Sequence, residues 1–433
     1  MTRTDDRERA YVVFQGGGAL GVAHFGAWQA IARDFEIIGV AGTSSGAIVA
    51  ALCAAGVTPN KTFESFKLNL PKIVGHKGFL WSLIDVVCRT LFGRDAANDG
   101  NRFQRWLEQQ FEQSELKKGE ITFEELYQRN RIYLEVVACD LKDGDTNSIV
   151  FSPDIRKNIS VPRAVRASIS LPGIFKTLRI GNREFVDGGL KLNFPIETLY
   201  QKAKSANCVL IGVRFRKSPR SFNSSNIWQV FSKSYELVMS NSSPVTQEVK
   251  SYPKCKIIEI DDQGLNPLNF KLSEEQLEKL RQVGREAAEE QLEELQTRLQ
   301  EVKSRLRSQL HPDFRESVDQ VQNWFTHEAL PEVEAHCKRT LGKEEFADLE
   351  IDDYKIKRLC WEIEKYLERV SESFLDQDYD LLTDRLLRPS LPNLSIYSEV
   401  LDLVKSNIPE YLAEREEVVQ RIIYIRNAIL KGD

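Results

Sequence analysis

Three short stretches of this sequence hold residues whose types and spacing could do chemistry. The first is Gly42-Thr43-Ser44-Ser45-Gly46, a G-x-S-x-G pentapeptide between "EIIGVAG" and the small, apolar "AIVAALCAAGV". A serine becomes a useful nucleophile when a sharp turn exposes its oxygen and a neighbouring base takes its proton. A strand, this pentapeptide and a helix are the setting of a nucleophile elbow, and Gly42 and Gly46 remove the Cβ atoms that would collide at such a turn. The second stretch is Gly16-Gly17-Gly18-Ala19-Leu20-Gly21, between the apolar "YVVF" and a helical pattern. Amides at a helix N-terminus, with the positive end of its dipole behind them, suit an anion or a developing oxyanion. The third is Asp187-Gly188-Gly189 in "REFVDGGLKLNFP", which sets a carboxylate on a turn where it could serve the serine as base.

The glycine loop also fits G-x-G-x-x-G, the dinucleotide-binding fingerprint. In that fold the second strand ends in an acidic residue for the ribose hydroxyls. Here it runs into Gly42-Thr43-Ser44, with no acid at its end. Acyl transfer therefore becomes the leading chemistry, with a dinucleotide enzyme as the reading it displaces. A non-catalytic lipid- or partner-binding module that keeps the pocket is the alternative from a different class.

The elements that must position these residues follow from the pattern. Up to residue 270, β-branched runs alternate with helical stretches, which predicts an α/β fold with a mostly parallel sheet wrapped by helices. Strands are expected at 10–14, 36–42, 132–139, 148–152, 208–215 and 254–260, and helices at 22–33, 45–56 and 101–113. From Ser273 the texture turns helical, with a capping box of Ser273 and Gln276 and apolar positions at Leu292, Leu295, Leu299, Val302 and Leu306. Two further helical patterns carry Ile356, Leu359, Ile363, Tyr366, Val370 and Phe374, and then Leu412, Val419, Ile422, Ile425 and Ile429. The division expected is a hydrolase-like domain over 1–298 and an all-helical domain over 299–433.

The three motifs, in this order, make the chain resemble the patatin-like phospholipase family, marked by a G-G-G-x-x-G loop, a G-x-S-x-G elbow and a D-G-G turn. "RASISLPGIF" (166–175) and "VACDLKDGDTNSIVFS" (137–152) are also similar to stretches of that family, and the resemblance covers roughly residues 10 to 290. It implies a patatin-like fold and a Ser-Asp dyad without histidine. Ser44 attacks a phospholipid acyl ester, and Asp187 takes its proton and later activates water. The amides of Gly16, Gly17, Gly18 and Ala19 hold the oxyanion, Gly42 and Gly46 shape the elbow, and Gly188 and Gly189 form the turn. Many members carry Arg or Lys where this chain has Leu20, which leaves backbone amides as the donors. The resemblance implies that Ser44→Ala and Asp187→Asn abolish hydrolysis with almost no change in the thermal melt. The substrate implied is membrane phospholipid or another lipid ester, and no cofactor is implied.

The remaining residues have plainer readings. Ser45 is expected to cap the following helix, and His24 to be a packed helix residue near the site. Cys53 and Cys139 read as buried small side chains. "HKGFLWSLIDVVCRTLFG" (76–93) reads as a lid or interfacial helix, or else as a core helix. "RFRKSPRS" (214–221) is a basic loop that either meets lipid phosphate or is solvated. No metal is expected, since no H-E-x-x-H, Walker A or EF-hand loop occurs. No nucleic-acid partner is expected, because basic and aromatic residues are not interleaved.

Composition agrees with a globular chain: 433 residues, 42% hydrophobic and 28% charged, net charge −5. Charge is net positive through residue 270 and net negative beyond it. Seven dispersed cysteines without a C-x-x-C pair fit a reducing compartment. No apolar run is long enough to span a bilayer, and the charged "MTRTDDRERA" lacks a signal-peptide core. The expected location is the cytoplasm, peripheral on the inner membrane face. The acidic helical domain is expected to serve regulation or assembly, through a homo-oligomer or a regulatory partner.

Overall fold

The computed structural model describes residues 7–74, 100–142, 148–172, 174–218, 227–241, 244–309, 395–409 and 415–431, with isolated positions between 320 and 339. The chain divides into two compact units, Met1–Gln296 and Thr297–Asp433.

Eight strands form the sheet of the first unit: β1 (Arg9–Phe14), β2 (Glu36–Thr43), β3 (Tyr133–Asp140), β4 (Ser148–Phe151), β5 (Leu178–Ile180), β6 (Arg183–Asp187), β7 (Val209–Arg216) and β8 (Cys255–Asp261). Their order is β5-β6-β3-β2-β1-β7-β8, with β4 paired to β3 off this path. Strands β3, β2, β1, β7 and β8 run parallel, while β4, β5 and β6 are antiparallel additions at the β3 side. β1, β3 and the start of β7 are mostly buried, and their near-continuous Val, Ala and Leu content is what parallel strands covered on both faces require. The hairpin β5–β6 has only three ladder pairs, too short to leave a period-two pattern in the sequence.

Register places the chemistry. β1 and β2 end together, Phe14 opposite Gly42, and β2 pairs with β3 so that Thr43 lies opposite Val137. The next residue of β3, Ala138, lies opposite Asp187 at the end of β6. The glycine loop after β1, the elbow after β2 and the D-G-G turn after β6 therefore meet at one end of the sheet. The carboxyl ends of parallel strands are where open α/β sheets put their ligands.

Helix α1 (Ala23–Asp34) leaves the glycine loop through one turn of 3-10 helix, Gly18–Val22. Helix α2 (Ser45–Ala54) follows the elbow directly and is buried along almost its whole length. Its small residues allow that depth: a Cβ on Gly46 would lie 2.2 Å from the Phe14 carbonyl oxygen. Helix α3 (Val161–Ser168) packs on β3 and β6. Helix α4 (Ile196–Ser205) packs on β1, β2 and β7, with Leu199 and Tyr200 in a cluster with Val13, Ala41 and Leu210.

The long helix α5 (Glu274–Gln309) begins at the expected capping box. The Ser273 amide donates to Gln276 Oε1 at 2.9 Å, and the Gln276 amide to Ser273 Oγ at 3.2 Å. It crosses α1 backbone to backbone. A Cβ on Gly26 would stand 1.9 Å from the Arg281 carbonyl oxygen, and one on Gly284 1.9 Å from that of Ala23. Among its apolar positions Leu292, Leu295 and Leu299 are buried.

In the second unit, helices Ser395–Ser406 and Arg415–Lys431 pack on each other. The buried residues there include Tyr397, Val400, Leu401, Val404, Val418, Ile422 and Ile425. Val418, not Val419, takes the fully buried position of the last pattern. The pattern from Ile356 to Phe374, Leu412, and the 76–93 stretch lie outside the described residues. Among the described residues no helix is long and apolar enough to cross a membrane.

Candidate active site

Ser44 stands at the junction of β2 and α2 with φ 52° and ψ −123°. A non-glycine residue at positive φ costs on the order of 1–3 kcal/mol and persists only where its surroundings over-determine it. Those surroundings are visible. The Ser44 amide donates to Ser168 Oγ at 2.8 Å, and that hydroxyl donates in turn to the Val137 carbonyl of β3 at 2.5 Å. The Thr43 hydroxyl donates to the Leu192 carbonyl at 2.8 Å. The strained turn is thus tied to β3, to α3 and to the segment after the D-G-G turn.

The Ser44 hydroxyl donates to Asp187 Oδ2 at 2.6 Å. Asp187 is 1% exposed and its second oxygen accepts the Gly189 amide at 2.8 Å. Its own amide donates to the Ser170 carbonyl at 3.0 Å. Ser170 Oγ accepts from the buried Arg166 at 2.6 Å, which fixes the strand end that carries the carboxylate. Burial pushes the Asp187 carboxyl up to about 7, although the Ser44 and Gly189 hydrogen bonds favour its charged form. A carboxylate poised near neutrality is suited to taking and returning a proton.

His24 takes no part in this pair. Its Nε2 is 2.7 Å from the Gln15 carbonyl, and its ring is packed against Phe14 and Phe215. Burial pulls the imidazole down to about 4, against the Gln15 bond that favours its charged form, so it stays neutral at physiological pH. Cys53 and Cys139 are buried, and burial pushes both thiols up to about 12.

The glycine loop differs from the expectation that its amides all face an oxyanion. The Gly16 amide donates to the Asn193 carbonyl at 2.9 Å, the Gly17 amide to Ser45 Oγ at 2.9 Å and the Ala19 amide to the Pro267 carbonyl at 2.8 Å. Among the described residues Gly18 is the one of the four whose amide has no protein acceptor. The reason is tertiary: Asn193 and Pro267 come from distant segments and take amides that look free in the sequence. Leu20 is buried, so no cation stands at that position. Ser45 does not cap α2. The helix starts at Ser45 itself and Ser44 holds the cap position without a side-chain bond, so the Ser45 hydroxyl turns to Gly17 instead.

Gly42 and Gly46 lie where the elbow folds on itself: a Cβ on Gly42 would be 2.3 Å from the Gly46 carbonyl oxygen. Gly188 is equally confined, since a Cβ there would lie 2.3 Å from the Val137 carbonyl oxygen. Sequence reading did not single out Ser168 or Asn193. Asn193 holds both sides of the Gly16 residue, accepting its N–H and donating from Nδ2 to its carbonyl at 3.1 Å. Their signal was a small polar residue inside each of two stretches already quoted. In the basic stretch, Arg214 and Arg216 pair with Glu259 and Asp261 of β8, and 219–221 lie outside the described residues.

Ser44, Ser45, Asp187, Gly18, Ala19 and Gly21 border a cavity with about 770 Å³ of empty space, part of it open to solvent. The rest of its wall is apolar and aromatic, with Phe25, Phe66, Phe103, Phe175 and Phe270 prominent. Such a wall receives hydrocarbon, and it keeps the dielectric low around the serine and the aspartate.

Residues 12–200 match the family model described as patatin-like phospholipase. The Bacillus subtilis protein YqhO is 28% identical over 237 residues, which span 52% of this chain and 78% of YqhO. A protein of Invertebrate iridescent virus 6 named "Probable lipid hydrolase 463L" is 25% identical over 245 residues, 54% of this chain and 78% of its own length. Among solved structures, VipD from Legionella pneumophila superposes with a TM-score of 0.39 and 13% identity, over 99% of this chain and 94% of its own, too loosely to bear on function. Over residues 12–200, the segment that carries both Ser44 and Asp187, this chain is a patatin-like phospholipase family domain.

Proposed function

We propose that this protein is a serine lipid acyl hydrolase that cleaves phospholipid acyl esters through an acyl-enzyme on Ser44, with Asp187 as the base. The observation that carries the reading is the buried 2.6 Å bond from Ser44 Oγ to Asp187 Oδ2 at the wall of an apolar cavity. The family match and the name of the viral relative support lipid as the substrate class.

In this mechanism an acyl chain lies along the phenylalanine wall, with its ester carbonyl over Ser44 and its polar head on the open side. Asp187 takes the hydroxyl proton as Ser44 Oγ attacks, and negative charge forms on the carbonyl oxygen. Collapse of the tetrahedral intermediate expels the alcohol, which leaves with the proton from Asp187. Water then gives Asp187 a proton and attacks the acyl-serine, and the same steps in reverse return Ser44. A carboxyl held near 7 can complete both halves, whereas one in the ordinary carboxylate range would be a weaker base.

A fluorophosphonate probe tests the nucleophile directly. It should label the wild-type protein at Ser44 and fail to label Ser44→Ala. That variant should also lose ester hydrolysis by about 10⁴-fold or more. Hydrolysis that survives Ser44→Ala sinks the mechanism, and a wild-type chain that resists the probe returns it to a binding module.

The acid limb of the pH–rate profile tests the base. Because the ionised carboxylate is the working form, kcat/KM should fall about tenfold per pH unit below about 7 with a single ionisation. His24→Gln should lower stability by about 1–3 kcal/mol through the loss of a buried hydrogen bond, yet leave that limb in place. An acid limb that moves in the His24 variant would put the imidazole into the mechanism.

A further inference from the structure

We infer that Ser45 supplies a second donor to the oxyanion, its hydroxyl relaying the amide of Gly17 into the cavity. The inference rests on the acyl-transfer reading of Ser44. An oxyanion commonly needs more than one donor, and the loss of one costs about 10²–10³ in rate. Of the four loop residues expected to serve, Gly16 and Gly17 do not border the cavity. The amide of Ala19 is spent on Pro267, which leaves Gly18 as the one loop amide available among the described residues.

Ser45 does border the cavity, beside Ser44 and Gly18. Its Oγ accepts the Gly17 amide at 2.9 Å in a buried bond. A hydroxyl that accepts one hydrogen bond still has its own proton to give. Among the described residues that proton has no protein acceptor. Accepting an N–H also polarises the O–H and strengthens what it donates. The hydroxyl has its place because residue 21 is glycine: a Cβ there would lie 2.5 Å from Ser45 Oγ. Two glycines of the loop thereby acquire a specific use. Gly17 anchors the hydroxyl, and Gly21 leaves room for it.

The test is Ser45→Ala, read two ways in the full chain. kcat/KM for an acyl ester should fall by about 10²-fold. Inhibition by a long-chain trifluoromethyl ketone should weaken by the same factor, because its adduct with Ser44 carries the same oxyanion. A melting curve establishes that the variant is folded. In crystals of the wild-type adduct, Ser45 Oγ should lie about 2.5–3.0 Å from the hemiketal oxygen. An alanine variant with unchanged ketone affinity overturns the relay, and so does an adduct whose Ser45 hydroxyl points elsewhere. Ser44→Ala, run in parallel, separates the two levels. Turnover that survives there removes the dyad, whereas a dead Ser44→Ala beside a fully active Ser45→Ala removes the relay alone.

Discussion

Replacing Asp187 with asparagine should silence hydrolysis and, near neutral pH, raise the melting temperature. The first effect follows from the role of base proposed for Asp187. The second follows from where the carboxyl sits. Burial raises its folded pKa from the ordinary 3.8 to about 7. Between those values the folded chain keeps a proton that the unfolded chain releases, so stability falls as pH rises through this window. Below the window the aspartate costs nothing by this route, and above about 7 the cost is fully present. It is on the order of a few kcal/mol. Asparagine keeps the shape without the titration, so its advantage should grow from pH 4 to 7 and then level off. Thermal melts of both proteins across pH 4–8 measure this, and an asparagine variant less stable than wild type at pH 8 contradicts the buried-carboxylate account. The sequence alone predicts an almost unchanged melt, because the depth at which Asp187 is buried is set by the fold and not by the motif.

Gly42→Ala should have a large structural effect for a single added methyl group. The added Cβ would stand 2.3 Å from the carbonyl oxygen of Gly46, 2.4 Å from its carbonyl carbon and 2.6 Å from the Ala47 nitrogen. All three are backbone atoms in the first turn of α2, so no side chain can swing away. The turn must open, and overpacking of this kind costs about 3 kcal/mol or more. Ser44 lies inside the opened turn, and a displacement of about 1 Å at a reacting atom is enough to cost about 10²-fold in rate. Denaturant melts and kcat/KM read the two consequences separately. A Gly42→Ala protein that matches wild type in both would show that the elbow has slack the packing does not reveal.

The elements legible in the sequence were those whose local pattern also decides their tertiary fate. Strands β1, β2, β3 and β7 are largely apolar runs that become parallel strands inside the sheet. β8 at its edge mixes isoleucines with Lys256, Glu259 and Asp261, and α2 carries the small residues that let it lie against the ends of β1 and β2. The elbow serine and the D-G-G aspartate could be read because each needs glycines at fixed positions close by, two residues to either side of Ser44 and directly after Asp187. β5 and β6 were less legible, because a three-pair hairpin at a sheet edge leaves no periodicity. Ser168 and Asn193 gain their importance from hydrogen bonds to Ser44 and Gly16, far away in sequence, and neither residue type signals such a bond. The glycine loop shows the same limit from the other side. Its composition says that amides are accessible to something, while the carbonyls of Asn193 and Pro267 and the hydroxyl of Ser45 decide to what.

The crossing of α1 and α5 at Gly26 and Gly284 bears on where this hydrolase unit can be cut. The family-matched segment stops at residue 200, yet β7 and β8 beyond it extend the sheet from β1. Gly284, further still, lets α5 lie on the helix that leaves the glycine loop, at a distance no side chain could share. A fragment trimmed to its recognisable motifs would strip β1 of one neighbour and lay bare a groove on α1 shaped to receive bare backbone. In a relative, the mark of this crossing would be two glycines that neither border the cavity nor take part in the reaction, and that can change only together.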